Sequence, residues 1–346
     1  MGAPDTARRL AVVPTTGGLR YRLLARCDFP PPGTPVDCGV SGGADSLALL
    51  VLATTAGCSV TAWHVDHGLR PGSGEEAAVV SAAATRYGAS FRAERVAVAP
   101  GPNLEARARQ ARLGVLPAGV CTGHTADDQA ETILLALLRG AGLDGLTGMS
   151  AGSVPADGGA SPPEGSAGGA SPFTAAAGVG GIAVRHPLLA LRRAETVALC
   201  QEEGLTPLAD PTTADPAMRR NRVRHELLPL ASDVAGRDVV PLLLRTAALL
   251  RADAEVLDVA CAALDPTDAR ALSGAPPGLA RRAVRAWLVS ATPAGIAPYP
   301  PDAAAVDRVL AVARGDTAAC EVAGVGRIAR HQQRLVVERA PPVGGT

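Results

Sequence analysis

Lysine does not occur anywhere in these 346 residues, so every one of the 33 basic side chains is an arginine. A kinase or GTPase P-loop needs a Lys before its Ser or Thr, so that motif is ruled out, as are Schiff-base lysines and the strand lysine of protein kinases. Aromatics are also scarce, at 2 % of residues, and the core must be packed with Ala, Val and Leu. Formal net charge is +0, so contact with a nucleic acid would have to come from local arginine clusters and not from a global field. No run of about 18 apolar residues is present to span a bilayer, and the N-terminus lacks the basic-then-apolar layout of a secretory signal; a cytoplasmic protein with no membrane partner is expected. The seven cysteines (27, 38, 58, 121, 200, 261 and 320) are scattered, odd in number and never spaced Cys-x-x-Cys. That spacing argues against a disulfide framework, a zinc ribbon or a redox dithiol, and most are expected to be small buried hydrophobes.

What the chain does carry is organised around Ser41-Gly42-Gly43-Ala44-Asp45-Ser46, which leaves the apolar run Val36 to Val40 and enters the apolar run Leu47 to Ala53. This reads as a strand, a tight glycine turn and a helix start, where several backbone N–H groups and the positive end of a helix dipole converge. Such a volume suits a phosphate. The glycines allow close approach, Ser41 and Ser46 offer hydroxyls, and Asp45 offers a carboxylate for a divalent cation already on phosphate oxygens. The plainer alternative is an ordinary strand-to-helix turn with Asp45 or Ser46 as N-cap. The hexapeptide resembles the pyrophosphate-binding loop (PP-loop) of ATP pyrophosphatases, which split ATP between its α and β phosphates.

A chain of this length is expected to form two or three domains. A short helix is expected around Leu19 to Arg26, then a proline-rich entry, Pro30 to Pro35. Strands are expected at Ser59 to His67, Phe91 to Val98 and Val120 to Gly123. Helices are expected at Glu75 to Tyr87, Asn103 to Leu116 and Thr125 to Arg139, the first stopped by Gly88 and the last by Gly140. Alternating strands and helices define an α/β fold with a doubly wound parallel sheet, in which ligands sit at the carboxyl ends of the strands. His64 to Arg70 places two imidazoles, a carboxylate and an arginine beside glycines. With no fourth partner nearby, His64, Asp66 and His67 fit a loop lining a nucleotide pocket better than a zinc site. At helical spacing His124, Asp128 and Glu131 or Thr132 share a face, and carboxylates there could hold magnesium. Locally, Thr125 and Asp128 also satisfy a capping-box pattern. Glu105, Arg109 and Arg112 share a face of the preceding helix. Met218 to His225 packs Arg219, Arg220, Arg222 and Arg224 around Asn221 with no acid before Glu226, a dense basic helix face suited to a phosphate backbone.

Together these motifs resemble the tRNA(Ile)-lysidine synthetase family. They are the PP-loop, Val65 to Arg70, Ala108 to Arg112, Gly123 to Thr132, Asp210-Pro211-Thr212 and Arg220 to His225, in that order. The resemblance implies a Rossmann-like PP-loop domain over 36–230, after an N-terminal extension 1–35. An accessory helical region and a small C-terminal α+β segment that contacts tRNA would follow over 231–346. It implies that ATP and Mg2+ are used to adenylate C2 of the wobble cytidine of a tRNA(Ile) with a CAU anticodon, and that free L-lysine then displaces AMP to give lysidine. Carried over by position, Ser41, Gly42, Gly43, Ala44, Asp45 and Ser46 would hold ATP together with His64 and Asp66, with Asp45 and Asp128 on the metal. Asp45, Arg112, His124 and Asp128 would form the adenylation centre. Arg219, Arg220, Arg222, Arg224 and His225 would meet RNA. Spacing does not separate Arg109 from Arg112 or Asp127 from Asp128, and a homodimer stays open.

The chain departs from the family in places. The tract 151–181, rich in Gly, Ala, Ser and Pro, reads as a disordered insertion. Leu113 stands where Tyr is usual, and His186-Pro187 replaces Arg-Pro. Further on, Val234 to Leu264, Leu279 to Val289 and Ala303 to Ala313 carry helical periodicity. Ala319 to Arg330 and Arg334 to Arg339 look like a β-hairpin. The main rival is a PP-loop tRNA thiolase, which would need paired or cluster-bound reactive cysteines. An amidotransferase-type synthetase would need a glutaminase partner. A non-enzymatic nucleotide sensor or RNA-binding module would bind ATP without releasing pyrophosphate.

Overall fold

The computed structural model describes residues 18–66, 73–96, 111–149, 184–208, 215–216, 218–292 and 301–338. His67 to Arg70, Arg109, Asp210 to Thr212 and the tract 151–181 lie outside them. The described residues fall into two compact units, Met1–Glu131 with Val184–Val240, and Thr132–Ala183 with Pro241–Thr346.

The first unit has five strands, β1 (Pro35–Gly39), β2 (Ser59–Asp66), β3 (Ser90–Arg95), β4 (Val120–Thr122) and β5 (Val184–Arg185), in the order β3-β2-β1-β4-β5. All four pairings are parallel, with Cys38 facing Ala62 on one side and Cys121 on the other. The order reverses between β1 and β4, which puts the ligand crevice of a doubly wound sheet at the ends of those two strands. The helices of this unit include α1 (Leu19–Leu24), α2 (Ala44–Thr55), α3 (Ser73–Arg86), the first part of α4 (Ala126–Leu138) and a helix the sequence reading did not anticipate, Arg193–Glu202. A further helical stretch, 111–115, leads toward β4.

Every residue of α2 from Ser46 to Ala53 is buried. A helix covered on all sides needs no polar face, which explains its unbroken apolar run. Leu47, Leu49, Leu50 and Leu52 pack in one core with Leu188, Leu191, Leu199 and Cys200. Each such leucine contributes about 2 kcal/mol through burial, so the helix whose first turn forms the loop is anchored in the core of the unit. Cys38, Cys58, Cys121 and Cys200 are buried as well, and burial pushes the Cys121 and Cys200 thiols up to about 11. They are packing groups, not nucleophiles.

The second unit continues from α4 through α5 (Leu143–Leu146). It adds Val240–Ala262, Ala269–Gly274, Pro277–Ala291 and Ala303–Arg314, and a three-stranded antiparallel sheet of Ala319–Val322, Gly326–His331 and Arg334–Glu338. Its core is aliphatic, with Leu272, Val284, Leu288, Val309, Val312 and Ile328 each at most 2 % exposed. Asp302 caps Ala303–Arg314 by accepting from the Ala305 N–H at 2.7 Å, and Gly315 ends it at φ 87. Arg330 closes the same end by donating to the Ala313 carbonyl at 2.8 Å.

Two expectations are corrected. The periodic run Val234 to Leu264 is not one helix, because Gly236 turns left-handed at φ 61 and separates Leu228–Ala235 from Val240–Ala262. The C-terminal hairpin is a three-stranded meander, since Gly324 and Gly326 adopt positive φ and fold its first arm in two. Among the described residues no helix is long and apolar enough to cross a membrane.

Candidate active site

The loop after β1 is braced by its own side chains. Ser46 donates its hydroxyl to the Gly43 carbonyl at 2.9 Å and accepts from the Ser41 N–H at 3.1 Å. Its proton being spent on Gly43, the 3.2 Å contact between the two hydroxyls has Ser41 as donor. Gly42 sits at φ +89, a conformation that favours glycine. Gly43 is the N-cap of α2 and has no side chain with which to cap it; the Ser46 N–H turns back onto the Gly43 carbonyl at 3.1 Å, and no side chain from the cap competes with an anion at this helix start. From the neighbouring strand end, a Cβ on Gly123 would lie 2.6 Å from the Asp45 carbonyl oxygen and 2.7 Å from its carbon. Only glycine lets the β4 loop lie that close to the loop after β1.

Against this cradle stands a cluster of acids and arginines. Arg193 joins Asp45 to Asp128: its Nε donates to Asp45 Oδ2 at 3.3 Å and its Nη2 to Asp128 Oδ1 at 2.8 Å. Asp45 also accepts from the Thr196 hydroxyl. Glu131, 0 % exposed, accepts from Arg193 (3.3 Å), Arg220 (2.7 Å) and Arg224 (2.6 Å). Asp127 is held apart, taking both Nε and Nη2 of Arg192 and the Arg193 N–H at 2.7 Å.

Two of the carboxylates on Arg193, Asp45 and Asp128, shift in opposite directions. Burial pushes the Asp45 carboxyl above its ordinary range, and Thr196 and Arg193 offset that only in part. Burial also opposes ionisation of Asp128, but Arg193, His124 and Arg220 outweigh it and hold the group at about 2. Asp128 Oδ2 additionally accepts from the Thr125 N–H at 2.9 Å and hydroxyl at 3.0 Å. The acid thus caps its own helix and belongs to the cluster at the same time.

Behind Asp128, the Thr122 hydroxyl lies 2.7 Å from Nδ1 of His124 and 2.7 Å from Nδ1 of His186, whose Nδ1 atoms are 3.2 Å apart. The rings meet edge to face with centroids 4.8 Å apart. Parallel pairing of Cys121 with Arg185 brings the following residues, Thr122 and His186, alongside. His64 and Asp66 lie in β2, within the strand expected over Ser59 to His67, and not in the loop that was to line the pocket. His64 is 2 % exposed, with Nδ1 3.0 Å from the Val40 carbonyl; a carbonyl only accepts, so Nδ1 carries the proton and Nε2 is a buried acceptor. Asp66 pairs with Arg95 at 3.7 Å. Arg112 lies in the helical stretch 111–115, partly exposed.

The basic run does not form one face, which corrects the reading of its five residues as a single surface. Arg220 and Arg224, four apart, turn onto Glu131 and Asp128, while Arg219, Arg222 and His225 are exposed. Arg222 pairs with Glu226 at 2.8 Å on the surface. The segment runs from Arg219–Arg222 into a π-helical turn, Val223–Leu227. The sequence reading passed over Arg192, Arg193 and Thr196. One signal was present: two arginines at a helix start oppose its dipole, an arrangement that needs acids from elsewhere to neutralise it.

A parallel sheet with this loop at its switch point defines a PP-loop protein, and the PP-loop domain family matches residues 29–231. The TilS substrate binding domain family matches residues 268–336. Full-length relatives agree. A tRNA(Ile)-lysidine synthase of Nocardia farcinica is 39 % identical over 90 % of this chain and 94 % of its own length. One of Salinispora arenicola is 35 % identical over 96 % and 99 %, and one of Mycobacterium bovis 34 % over 88 % and 91 %. The chain belongs to the tRNA(Ile)-lysidine synthase family. Among solved structures, the U34-tRNA thiolase NcsA from Methanococcus maripaludis superposes with a TM-score of 0.49 at 14 % identity, covering 67 % of this chain and 78 % of that one.

Proposed function

We propose that this chain uses ATP to join free lysine to C2 of the wobble cytidine of tRNA(Ile) with a CAU anticodon. In the first step the C2 oxygen attacks the α-phosphorus and pyrophosphate leaves; in the second the lysine ε-amine attacks C2 and AMP leaves with that oxygen. The observation that carries the reading is the join of Asp45 on the loop after β1 to Asp128 after β4 through one guanidinium, Arg193. Ser41 to Ser46 at the start of α2 would seat the triphosphate, with main-chain N–H groups meeting the charge that grows on pyrophosphate. His124, Arg112 and Asp128 would act at the reacting phosphorus, and Arg193 supplies cationic charge that a lysine gives in P-loop enzymes.

A magnesium ion fits the residues present. Asp45 and Asp128 are hard oxygen donors, and Asp45 is a buried carboxylate whose neighbours do not fully balance its charge. Both would hold the ion, which would neutralise phosphate charge. The exposed Arg219, Arg222 and His225 would meet the tRNA, Arg220 and Arg224 would hold their segment in place, and a cytoplasmic setting belongs to the same reading. The thiolase alternative loses ground on the buried thiols, whose acidity is suppressed.

The test is pyrophosphate release dependent on CAU-anticodon tRNA(Ile), with labelled lysine entering the tRNA. Release of pyrophosphate without lysine entry overturns the second step, and no release in the presence of ATP, magnesium and tRNA overturns the whole reading.

A further inference from the structure

We propose that the outward face of helix Val240–Ala262 docks a second copy of this chain, the two helices running antiparallel about a two-fold axis at Leu249. The contact does not depend on the proposed reaction. Among residues 241–262 the buried ones are Ala247, Ala254 and Cys261, at seven-residue spacing. The fully covered positions are thus small residues, whereas larger apolar groups stand outward: Leu249 is 63 % exposed, Val256 70 % and Val259 77 %. Leu242, partly exposed, precedes Leu249 by the same seven residues that separate Leu249 from Val256. A seven-residue apolar repeat on the water side of a helix suits the seam of a helix pair.

The charges on this face select the occupant. Arg245 and Asp253 are exposed, four residues to either side of Leu249. Neither has an ion partner among the described residues, unlike Arg281, Arg314 and Arg327 of the same unit. Eight residues apart on one helix, about 12 Å along its axis, they cannot pair with each other. In an antiparallel copy turned about Leu249, each residue lies level with the one equally far on the other side. Leu249 then meets Leu249 of the second copy, Leu242 meets Val256, and Arg245 meets Asp253, the last two contacts each made twice. One register therefore matches the apolar and the charged positions together. A phosphate backbone or an anionic lipid surface would instead be repelled by the exposed Asp253 and Glu255.

The test is sedimentation equilibrium of the full-length protein without ATP or tRNA. One helix pair is small beside the about 1,200 to 2,000 Å2 buried in stable complexes, so half-association is expected at about 10 to 100 μM. Leu249→Glu sets two carboxylates against each other on the axis and should leave monomer only. Arg245→Glu and Asp253→Arg, each alone, set like charges opposite one another and should weaken association about tenfold or more. An equimolar mixture of those two variants should associate as the unaltered protein does, since each chain supplies the charge the other lacks. All three positions are exposed, so in dilute protein the unfolding midpoints should match, which separates a lost contact from a lost fold. Monomer at every concentration up to about 300 μM overturns the proposal, and so does a dimer that survives Leu249→Glu. Single variants that weaken association and do not recover on mixing overturn the antiparallel register. A protein that stays monomeric, and whose Leu249→Glu variant binds tRNA more weakly, gives the face to RNA and overturns the second copy as its occupant.

Discussion

The two compact units treat charge in opposite ways. In the PP-loop unit, Glu131 is wholly buried and Asp128 nearly so, and both are locked to guanidiniums drawn from distant parts of the chain. In the C-terminal unit the core is aliphatic, and most ion pairs lie on the surface, as in Arg281–Asp307, Arg314–Asp316 and Arg327–Glu338. The exception is Arg282, 9 % exposed, which binds Asp144 at 2.7 Å and Asp258 at 2.5 Å. Buried charge is costly and is retained where its geometry serves a reaction or a register. Surface arginines cost little and leave positive charge in water, where a phosphate backbone can reach it. On the proposed function, the contrast would separate a unit that does the chemistry from one suited to grip.

The sharpest way to break the contrast is Glu131→Gln, which keeps the shape and leaves three guanidiniums around a neutral amide. Removing one partner of a buried network should cost about 3 to 5 kcal/mol, lowering Tm by roughly 10 °C. A loss under about 1 kcal/mol in urea unfolding would mean that the network is no more than a surface pair. Next comes Gly123→Ala. The new methyl would meet Asp45 main-chain atoms at 2.6 and 2.7 Å, atoms that cannot swing aside as a side chain can. Overpacking of this kind costs about 1 to 3 kcal/mol, and the displaced loop should release pyrophosphate far more slowly; full activity with unchanged stability would show that the two loops have room to spare.

Acid sharpens the comparison within the site itself. Asp128 is held down at about 2 from an ordinary 3.8, so its stabilisation is fully present above pH ~4 and is lost as pH falls through about 2. That term amounts to about 2 kcal/mol and should vanish from the pH profile of unfolding in Asp128→Asn. Asp45 has the opposite sign. Its raised carboxyl makes the ionised form a burden at neutral pH that is relieved as pH falls, so Asp45→Asn should leave stability unchanged or higher while pyrophosphate release disappears. A marked loss of stability in Asp45→Asn would show that Arg193 and Thr196 already satisfy it.

How much of this was visible in the residues depends on how far apart the partners are. The strands, α2 and α4 announce themselves through apolar runs bounded by glycine, and the hexapeptide Ser41 to Ser46 marks the crevice because loop and helix are contiguous. Arg193 and Thr196 were hidden because they meet Asp45 across separations of 148 and 151 residues, and no local pattern carries that information. β5 escaped notice because two residues cannot show alternation. The basic run was legible in composition but not in direction: only the helical turn, which sets Arg220 and Arg224 on one side, shows that two of its arginines face buried acids.

The smallest expected effect lies in the C-terminal unit and asks whether its surface charge serves binding and not folding. Arg281 and Asp307 pair at 2.8 Å with side chains 56 % and 50 % exposed. Such a pair contributes under about 1 kcal/mol, so Arg281→Ala should leave the unfolding midpoint nearly unchanged. If the arginine sits on a tRNA phosphate, the slope of log affinity against log salt should become shallower by about one for the lost contact. Arg222→Ala, on the other unit, gives a parallel measurement for an arginine paired with Glu226. A shallower slope in both variants would place RNA against both units. A change in Arg222→Ala alone would confine the tRNA to the PP-loop unit and leave the C-terminal arginines as ordinary surface charge, so that the division of labour between chemistry and grip would fall.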